Sequence, residues 1–212
     1  MKRVSFLIDG FNLYHSIKDL EALKGIKAKW LNLASLCQSY IYLFGKDAVL
    51  QDIYYFSAYP NHIKQTRPDT ISRHKDFIAC NEDMGINVQL GRFKEKRVYC
   101  SKCKQYIIKH EEKETDVAIG IKIFELFYTN SCDIQVIVSG DTDLAPAVRT
   151  SLNLFPTKQI CFAFPFNRKM KELSKLSTLP SFSISGINYQ NHILPDPYIL
   201  KNGQEINKPT AW

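Results

Sequence analysis

Residues 134–143 read IQVIVSGDTD, an apolar run that ends in glycine and two aspartates. A run of this length, rich in β-branched residues, predicts a strand that is buried on both faces of a parallel sheet. A helix is predicted to follow from about Leu144 to Leu152, which places both acids at the carboxyl end of the strand. Open parallel sheets bind ligands at that end, so Asp141 and Asp143 are candidate site residues.

The amino terminus repeats this arrangement. Val4 to Ile8 is a second apolar run, and Asp9-Gly10 follows it directly, with Asn12 three residues after the aspartate. Further strands are predicted at residues 49–57, 86–93 and 159–164, and helices at residues 31–44, 66–84, 115–128 and 168–176. Because strands and helices alternate, we predict an α/β fold with an open, mostly parallel, doubly wound sheet and helices on both faces.

The 212 residues suffice for one domain with a small appendage. We predict a single domain over residues 1–180 and a C-terminal extension over residues 181–212. Residues 94–110 form a polar, basic stretch that is predicted to be a small hairpin insertion. The helix predicted at 115–128 is apolar nearly all round, so we expect it to be well buried.

Composition and charge narrow the class of protein. Apolar residues make up 45% and charged residues 23% of the chain, which is ordinary for a globular domain. No run of about 18 apolar residues occurs, so we expect no membrane association. The six cysteines without a secretory signal indicate a reducing compartment, and we expect a cytoplasmic protein. The net charge of +7 suits a polyanionic partner, although solubility alone also explains it.

The separate acids are predicted to converge on one edge of the sheet. Asp116 opens the helix that precedes the strand of residues 134–138, and it joins Asp9, Asp141 and Asp143 at that edge. Taken singly, each has an ordinary explanation as a turn residue, a helix cap or a helix-dipole partner. Together they would repel one another unless a divalent cation bound them, and oxygen ligands suit Mg²⁺ or Mn²⁺.

Such a centre is typical of phosphodiester hydrolysis. A carboxylate-bound metal positions a water, lowers its pKa and neutralises charge on the scissile phosphate. The hydroxyls of Ser139 and Thr142 lie next to the acids and are candidates to contact a phosphate or a metal-bound water.

Three segments resemble the signature blocks of NYN domains, a branch of the PIN-like nuclease superfamily. They are FLIDGFNLYHSI at residues 6–17, EEKETDVAIGIKIFEL at residues 111–126 and VIVSGDTDLAPAVR at residues 136–149. The blocks come in the family's order, and the resemblance extends over about residues 1–180. It implies a PIN-like fold and a metal-dependent ribonuclease that acts on RNA.

The resemblance also assigns roles to individual residues. It implies that the metal ligands are Asp9, Asp116, Asp141 and Asp143, that Asn12 helps to hold the site, and that Lys113 belongs to the signature around Asp116. Many relatives carry a further aspartate six residues after the position of Asp116, where this chain has Lys122. That departure puts a two-metal site in doubt, and Lys122 becomes either a solvated side chain or a phosphate contact.

The hairpin insertion carries a second possible metal site and a basic surface. Cys100 and Cys103 have the spacing of half a tetrahedral zinc site, with His110 as the nearest third ligand. A redox pair and two plain reduced thiols are the alternatives. The basic residues Arg92, Lys94 and Arg97, interleaved with aromatic residues, are typical of a surface that binds single-stranded RNA, or else of a solvated hairpin.

Three functions therefore compete. The first is a metal-dependent endoribonuclease, and the second is an RNA-binding or partner-binding module with a decayed nuclease site, which Lys122 motivates. The third is a small-molecule enzyme resembling pyridine-ring hydroxylases. That chemistry needs a flavin or nicotinamide, and no Gly-x-Gly-x-x-Gly motif follows any predicted strand.

Overall fold

A computed structural model describes all 212 residues and contains a seven-stranded sheet. The strands of the main sheet are β1 (Lys2–Asp9), β2 (Ala48–Ala58), β3 (Asn87–Cys100), β4 (Gln105–Lys113), β5 (Ile134–Val138), β6 (Gln159–Phe164) and β7 (Phe182–Ser183). The helices are α1 (Gly10–Lys24), α2 (Leu33–Gln38), α3 (Pro68–Asp83), α4 (Thr115–Tyr128), α5 (Ala145–Leu154), α6 (Lys171–Leu176) and α7 (Gly186–Asn191). A separate small hairpin pairs β8 (Tyr198–Ile199) with β9 (Glu205–Ile206).

The strand order in the main sheet is β4-β3-β2-β1-β5-β6-β7. All neighbours are parallel except β3 and β4, which form an antiparallel hairpin. The chain moves outward from β1 on one side through β2 and on the other side through β5. Neighbouring strands whose connections diverge define a switch point, so a crevice is expected between the carboxyl ends of β1 and β5.

Helices cover both faces of the sheet, as predicted. Alternate residues of β1 point to opposite faces, so Phe6 and Ile8 join a core beneath α1, α2 and α3. Leu7 points the other way, into a second core that includes Ile119 of α4 and Val148 of α5. The α/β prediction from strand and helix alternation is therefore confirmed.

Several predicted elements have different bounds, and for two of them the hydrogen bonding explains the difference. The single helix predicted over residues 31–44 is two pieces, α2 and a 3-10 turn at Ile41–Phe44. The first piece, α2, begins at Leu33, two residues later than predicted, because Asn32 caps it by accepting a hydrogen bond from the backbone N–H of Ser35. The strand predicted to end at Phe93 continues to Cys100, because it is extended by pairing with β4.

The expectation that α4 is well buried was wrong for one of its two faces. Ile119 and Ile123 are fully buried, but Val117, Ile121 and Tyr128 are 65%, 61% and 73% exposed. The reason is that only one face of α4 packs on the sheet, and no further layer covers the other. No helix in the structure combines the length and the apolar character needed to cross a membrane.

The hairpin lies at one edge of the main sheet, and β7, from the C-terminal stretch, lies at the other. The predicted hairpin is present, with β3 and β4 in register from Arg92–Lys113 to Cys100–Gln105. Beyond residue 180, β7 adds a strand beside β6, and the Trp212 ring lies 6.0 Å from that of Trp30. The division of the chain at residue 180 stays a prediction.

Candidate metal centre

Three carboxylates meet at the switch point between β1 and β5. Asp9 ends β1, Asp141 follows β5, and Asp116 lies in the first turn of α4. One oxygen atom from each lies within 4.8 Å of the others. The sheet topology thus assembles three of the four predicted ligands from segments far apart in sequence.

Asp9 is the buried member of the cluster, with 4% of its surface exposed. One carboxylate oxygen accepts a hydrogen bond from the backbone N–H of Asn12 at 2.9 Å, which caps α1. The other accepts from the hydroxyl of Ser139 at 2.8 Å. Burial raises the pKa of Asp9 to about 6, these hydrogen bonds oppose the rise, and the charges of Asp116 and Asp141 add to it.

The turn after β5 is fixed by its own hydrogen bonds. The Oγ of Ser139 accepts from the backbone N–H of Asp141 at 3.0 Å, while the side-chain oxygen of Asn12 accepts from the N–H of Gly140 at 3.1 Å. A Cβ at Gly140 would lie 2.2 Å from the carbonyl oxygen of Arg168, so only glycine fits there. The turn and the start of α1 therefore hold Asp9 and Asp141 in one arrangement.

Asp116 is the exposed member of the cluster and lies beside Lys113. Partial desolvation raises the pKa of Asp116, and the charges of Asp141 and Asp143 add to the rise, whereas the ammonium of Lys113 lowers it. The ammonium of Lys113 also pairs with Glu111 at 3.1 Å. The predicted residue Lys113 is thus placed at the border of the cluster.

The donor set fits a hard divalent cation. All three groups are carboxylates at a spacing at which negative charges oppose one another without a counter-ion. Oxygen ligands with room for water suit Mg²⁺ or Mn²⁺ better than softer metals. The hydrogen bonds at Asp9 and Asp141 also fix the side chains, as outer partners of metal ligands do.

Asp143 and Thr142 lie just outside this cluster. They belong to a 3-10 turn at Thr142–Leu144, where Asp141 caps the turn by accepting a hydrogen bond from the N–H of Asp143 at 2.9 Å. Asp143 is exposed and acts on the pKa of Asp116 through its charge. Its role as a ligand and that of Thr142 as a phosphate contact stay predictions.

Lys122 is not brought to the cluster. Its ammonium pairs with Glu125 at 2.7 Å and lies 5.0 Å from the centre of the Tyr54 ring. Its side chain is only 12% exposed, so it is not the solvated group that was one of the two expectations. In this position Lys122 packs between α4 and the sheet.

The predicted basic residues line the hairpin. Arg92 pairs with Glu114 at 2.6 Å at the base of the hairpin. Lys94 is exposed on β3, and Arg97 lies over the ring of Tyr106 at 4.3 Å. The hairpin leads directly into α4, which carries Asp116. The cations therefore lie along the two paired strands at this edge of the sheet, leading away from the metal centre.

The prediction that His110 completes a zinc site was wrong. Cys100 and Cys103 lie at the tip of the hairpin, whereas His110 is opposite Glu95, five register positions back from the tip. The ring of His110 instead stacks on that of His62, with 4.1 Å between the centres. The two thiols therefore lack the third ligand that the sequence offered, and both are free.

Sequence reasoning missed one acid at the site. Glu112 is half-buried on β4, and its carboxylate accepts a hydrogen bond from the hydroxyl of Thr115 at 2.6 Å. Burial raises its pKa, and the charges of Asp9 and Asp116 contribute, so it lies beside the cluster. The sequence feature that could have indicated Glu112 is its position near the end of a strand, shortly before the helix whose first turn contains Asp116.

Comparison with known proteins agrees with this geometry. A crystal structure of a protein of unknown function from Vibrio parahaemolyticus shares the fold, with a TM-score of 0.53 and 16% identity over 91% of this chain and 96% of the other. No curated protein matches the chain significantly. The family model of the NYN domain, whose members are in general nucleases acting on RNA, matches residues 3–175. The chain therefore belongs to the NYN domain family of the PIN-like superfamily.

Proposed function

We propose that this protein is a metal-dependent endoribonuclease that hydrolyses single-stranded RNA. The observation that carries the proposal is the meeting of Asp9, Asp116 and Asp141, with oxygen atoms within 4.8 Å of one another at the switch point of the sheet. Membership of a nuclease family supports the same reaction class. The six free cysteines suit a reducing compartment, and we propose a cytoplasmic location.

The three carboxylates would hold one Mg²⁺ or Mn²⁺. When bound, the cation supplies a Lewis acid that activates water and neutralises charge on the phosphate. Ser139 keeps Asp9 oriented by donating to it, and Asn12 holds the turn after β5 in place. Lys113, at the border of the cluster, would attract a phosphate, and Thr142, in the turn that Asp141 caps, would offer its hydroxyl to a phosphate or to a metal-bound water.

The basic hairpin would bind the RNA strand outside the cleavage site. Lys94 and Arg97 offer positive charge, and Tyr99 and Tyr106 are 53% and 60% exposed. Exposed aromatic rings next to cations suit unpaired bases and a phosphate backbone. Cys100 and Cys103 would supply two ligands of a zinc ion only with ligands from outside the hairpin.

The test is cleavage of an internally labelled single-stranded RNA by purified protein in MnCl₂, in MgCl₂ and in EDTA. Asp141→Asn is expected to lower cleavage at least about 10²-fold, because it removes a charged ligand while the amide oxygen still caps the turn. Asp47→Asn is the matched control, since Asp47 lies at the opposite end of the sheet and pairs only with the N-terminus. Undiminished cleavage by Asp141→Asn would refute the proposal.

The rival function is an RNA-binding or partner-binding module without turnover. It is motivated by Lys122, which stands where many relatives have an aspartate and is paired with Glu125. Retained RNA binding with no metal-dependent cleavage by the wild type would favour this rival.

A further inference from the structure

A cavity of about 370 Å³ lies beside the metal centre, between the carboxyl ends of β1 and β2 and the helices α1 and α3. Gly10, the residue after Asp9, forms part of its wall, but none of the clustered carboxylates lines it. The volume falls within the roughly 300–1,000 Å³ that is usual for sites of small organic ligands. The cavity is therefore a distinct compartment that adjoins the cluster.

The charged residues that line this cavity are all basic. They are Lys29, Arg67 and Arg73, and no aspartate or glutamate is among the lining residues. Lys29 is neutralised by an ion pair with Glu21. Arg73 has no carboxylate partner, because it donates only to the hydroxyl of Thr70 at 3.1 Å and its buried Nε makes no hydrogen bond. A buried donor without an acceptor is costly, which points to a ligand that brings an anionic oxygen.

The walls of the cavity are largely aromatic. Phe11 and Tyr14 stand on one face of α1 and are 45% and 42% exposed, although both are large apolar side chains. Phe93 and Trp212 contribute rings from β3 and from the last residue of the chain. Rings with open faces beside cations are the pattern that binds an unpaired base next to its phosphate.

Polar groups at the cavity are suited to read the edge of a base. The hydroxyl of Ser57 and the Nε2 of His74 lie 3.2 Å apart, and both residues line the cavity. Burial lowers the pKa of His74 to about 4, so its ring is neutral at neutral pH. A neutral imidazole offers one donor and one acceptor, as base edges require.

Only a thin wall separates the cavity from the carboxylates. A Cβ added at Gly10 would lie 2.7 Å from the hydroxyl oxygen of Tyr55, so that hydroxyl packs directly on the backbone next to Asp9. Burial raises the pKa of Tyr55, and the charges of Asp9 and Glu112 add to the rise. A nucleotide in the cavity would place its neighbouring phosphodiester close to the metal centre.

We propose that the cavity binds one nucleotide of the RNA, adjacent to the scissile phosphate, with its base among the aromatic rings and a phosphate oxygen at Arg73. This inference rests on the proposed nuclease function, since it assigns the cavity as a subsite of that reaction. The cavity then determines which nucleotide is accepted beside the cut, whereas the hairpin binds the strand without reading it.

Binding can be measured apart from cleavage. The chain has two tryptophans, of which Trp30 is fully buried and Trp212 lines the cavity. The probes are the four ribonucleoside 5′-monophosphates, titrated into Asp141→Asn protein in EDTA while tryptophan fluorescence is recorded. We expect saturable quenching by at least one of them, and loss of that signal when Trp212→Phe is added.

Arg73→Gln in the same background is expected to weaken mononucleotide binding at least about tenfold, because a charge-assisted hydrogen bond is removed. Arg149→Gln, which removes the same charge from the exposed surface of α5, where Arg149 pairs with Glu172, is the matched control and should leave this binding unchanged. Tyr14→Ala alters an exposed side chain, so it tests the cavity even if Arg73→Gln fails to fold. Absence of quenching by all four mononucleotides, or equal binding by all these variants, would overturn the inference.

Cleavage assays with otherwise wild-type protein separate this inference from the nuclease proposal. Arg73→Gln should raise KM for RNA while the stabilisation of the fold by Mn²⁺ stays unchanged, since Arg73 is no ligand. Metal-dependent cleavage that Arg73→Gln and Tyr14→Ala leave unaltered would overturn the cavity assignment alone. No cleavage by the wild type, with mononucleotides still bound in the cavity, would overturn the nuclease proposal and with it the subsite.

Discussion

At the residue scale, Asp9 serves two purposes that oppose each other. Its carboxylate caps α1 and accepts from Ser139, which favours the folded chain. Yet it is 96% shielded from solvent and lies beside Asp116 and Asp141, and burying an ionised group near like charges disfavours folding. The position of Asp9 is therefore explained by the binding of a metal ion rather than by a contribution to the stability of the fold.

Asp9→Asn is therefore expected to stabilise the metal-free protein by about 1–3 kcal/mol at pH 7, given about 1.4 kcal/mol for each unit of pKa shift. The pKa of Asp9 rises from 3.8 to about 6 on folding, so the folded state binds a proton more readily than the unfolded state. Stability then falls as pH rises through this window, and the difference between variant and wild type should vanish near pH 4. Urea unfolding in EDTA at several pH values measures it.

The same variant provides its own internal check. Saturating Mn²⁺ should raise the unfolding midpoint of the wild type, because the cation binds only the folded state, and should raise that of Asp9→Asn much less. Asp47→Asn, at the opposite end of the sheet, should respond to Mn²⁺ like the wild type. An Asp9→Asn protein that is less stable than the wild type at pH 7 in EDTA would contradict the account of Asp9.

Among the helices and strands, the sequence best predicted those whose ends are determined by the local residue pattern alone. The bounds of α4 and β6 were predicted correctly, because apolar residues fill their interiors and Pro165 directly follows β6, although Thr115 is the first residue of α4 rather than its cap. The exposed face of α4 was not predicted, because burial depends on which layers pack from elsewhere in the chain. The hairpin's length likewise depended on pairing between β3 and β4 rather than on β3 itself.

The hairpin is an element that can be removed without touching either core. Residues 95–110 pair with each other and are mostly exposed. Replacing them with Asn-Gly, which suits a two-residue hairpin turn, should leave the Mn²⁺-dependent stabilisation intact. RNA binding should weaken at least about tenfold and lose part of its salt dependence, at about 0.7 in the log–log slope for each lost phosphate contact with a single strand.

Fluorescence anisotropy of a labelled single-stranded RNA, with Asp141→Asn as the background and salt as the variable, measures both effects. A full-length variant in which the basic residues of the hairpin are changed to glutamine separates charge from shape. These residues are Lys96, Arg97, Lys102, Lys104 and Lys109. Equal affinity of the shortened and full hairpins would exclude the hairpin as an RNA-binding element.

In the whole molecule, the strand-end rule located Asp9 and Asp141 from sequence, because Asp9 directly follows one apolar run, Asp141 follows another after two residues, and the sheet places those ends together. That rule did not predict that Glu112 lies beside the cluster. Nor did it predict the cavity, whose lining comes from α1, β2, α3 and β3, from the loops around Lys29 and Pro60, and from the last residues of the chain. Side chains that converge from so many segments share no spacing in the sequence, so only the folded arrangement reveals them.

The sequence predicted that the last 32 residues are an extension of the domain. In the structure these residues pack against the core. Ile184, Tyr189, Leu194 and Ile206 are all buried in the core beneath α1, α2 and α3. Burying each such side chain contributes about 1.5–3 kcal/mol. Several together are comparable with the roughly 5–15 kcal/mol by which a whole domain is stable.

A chain that ends at residue 180 is therefore expected to be unfolded or insoluble, although the family match ends at residue 175. Circular dichroism melts of the truncated and full chains measure this, with Trp212→Ala as a control that alters the end of the chain but keeps β7 and α7. If the truncated chain melted cooperatively within a few degrees of the full one, the terminal residues would be an independent appendage. Loss of folding would instead make residues 181–212 part of the domain and extend the structural unit to Trp212, which lines the proposed nucleotide cavity.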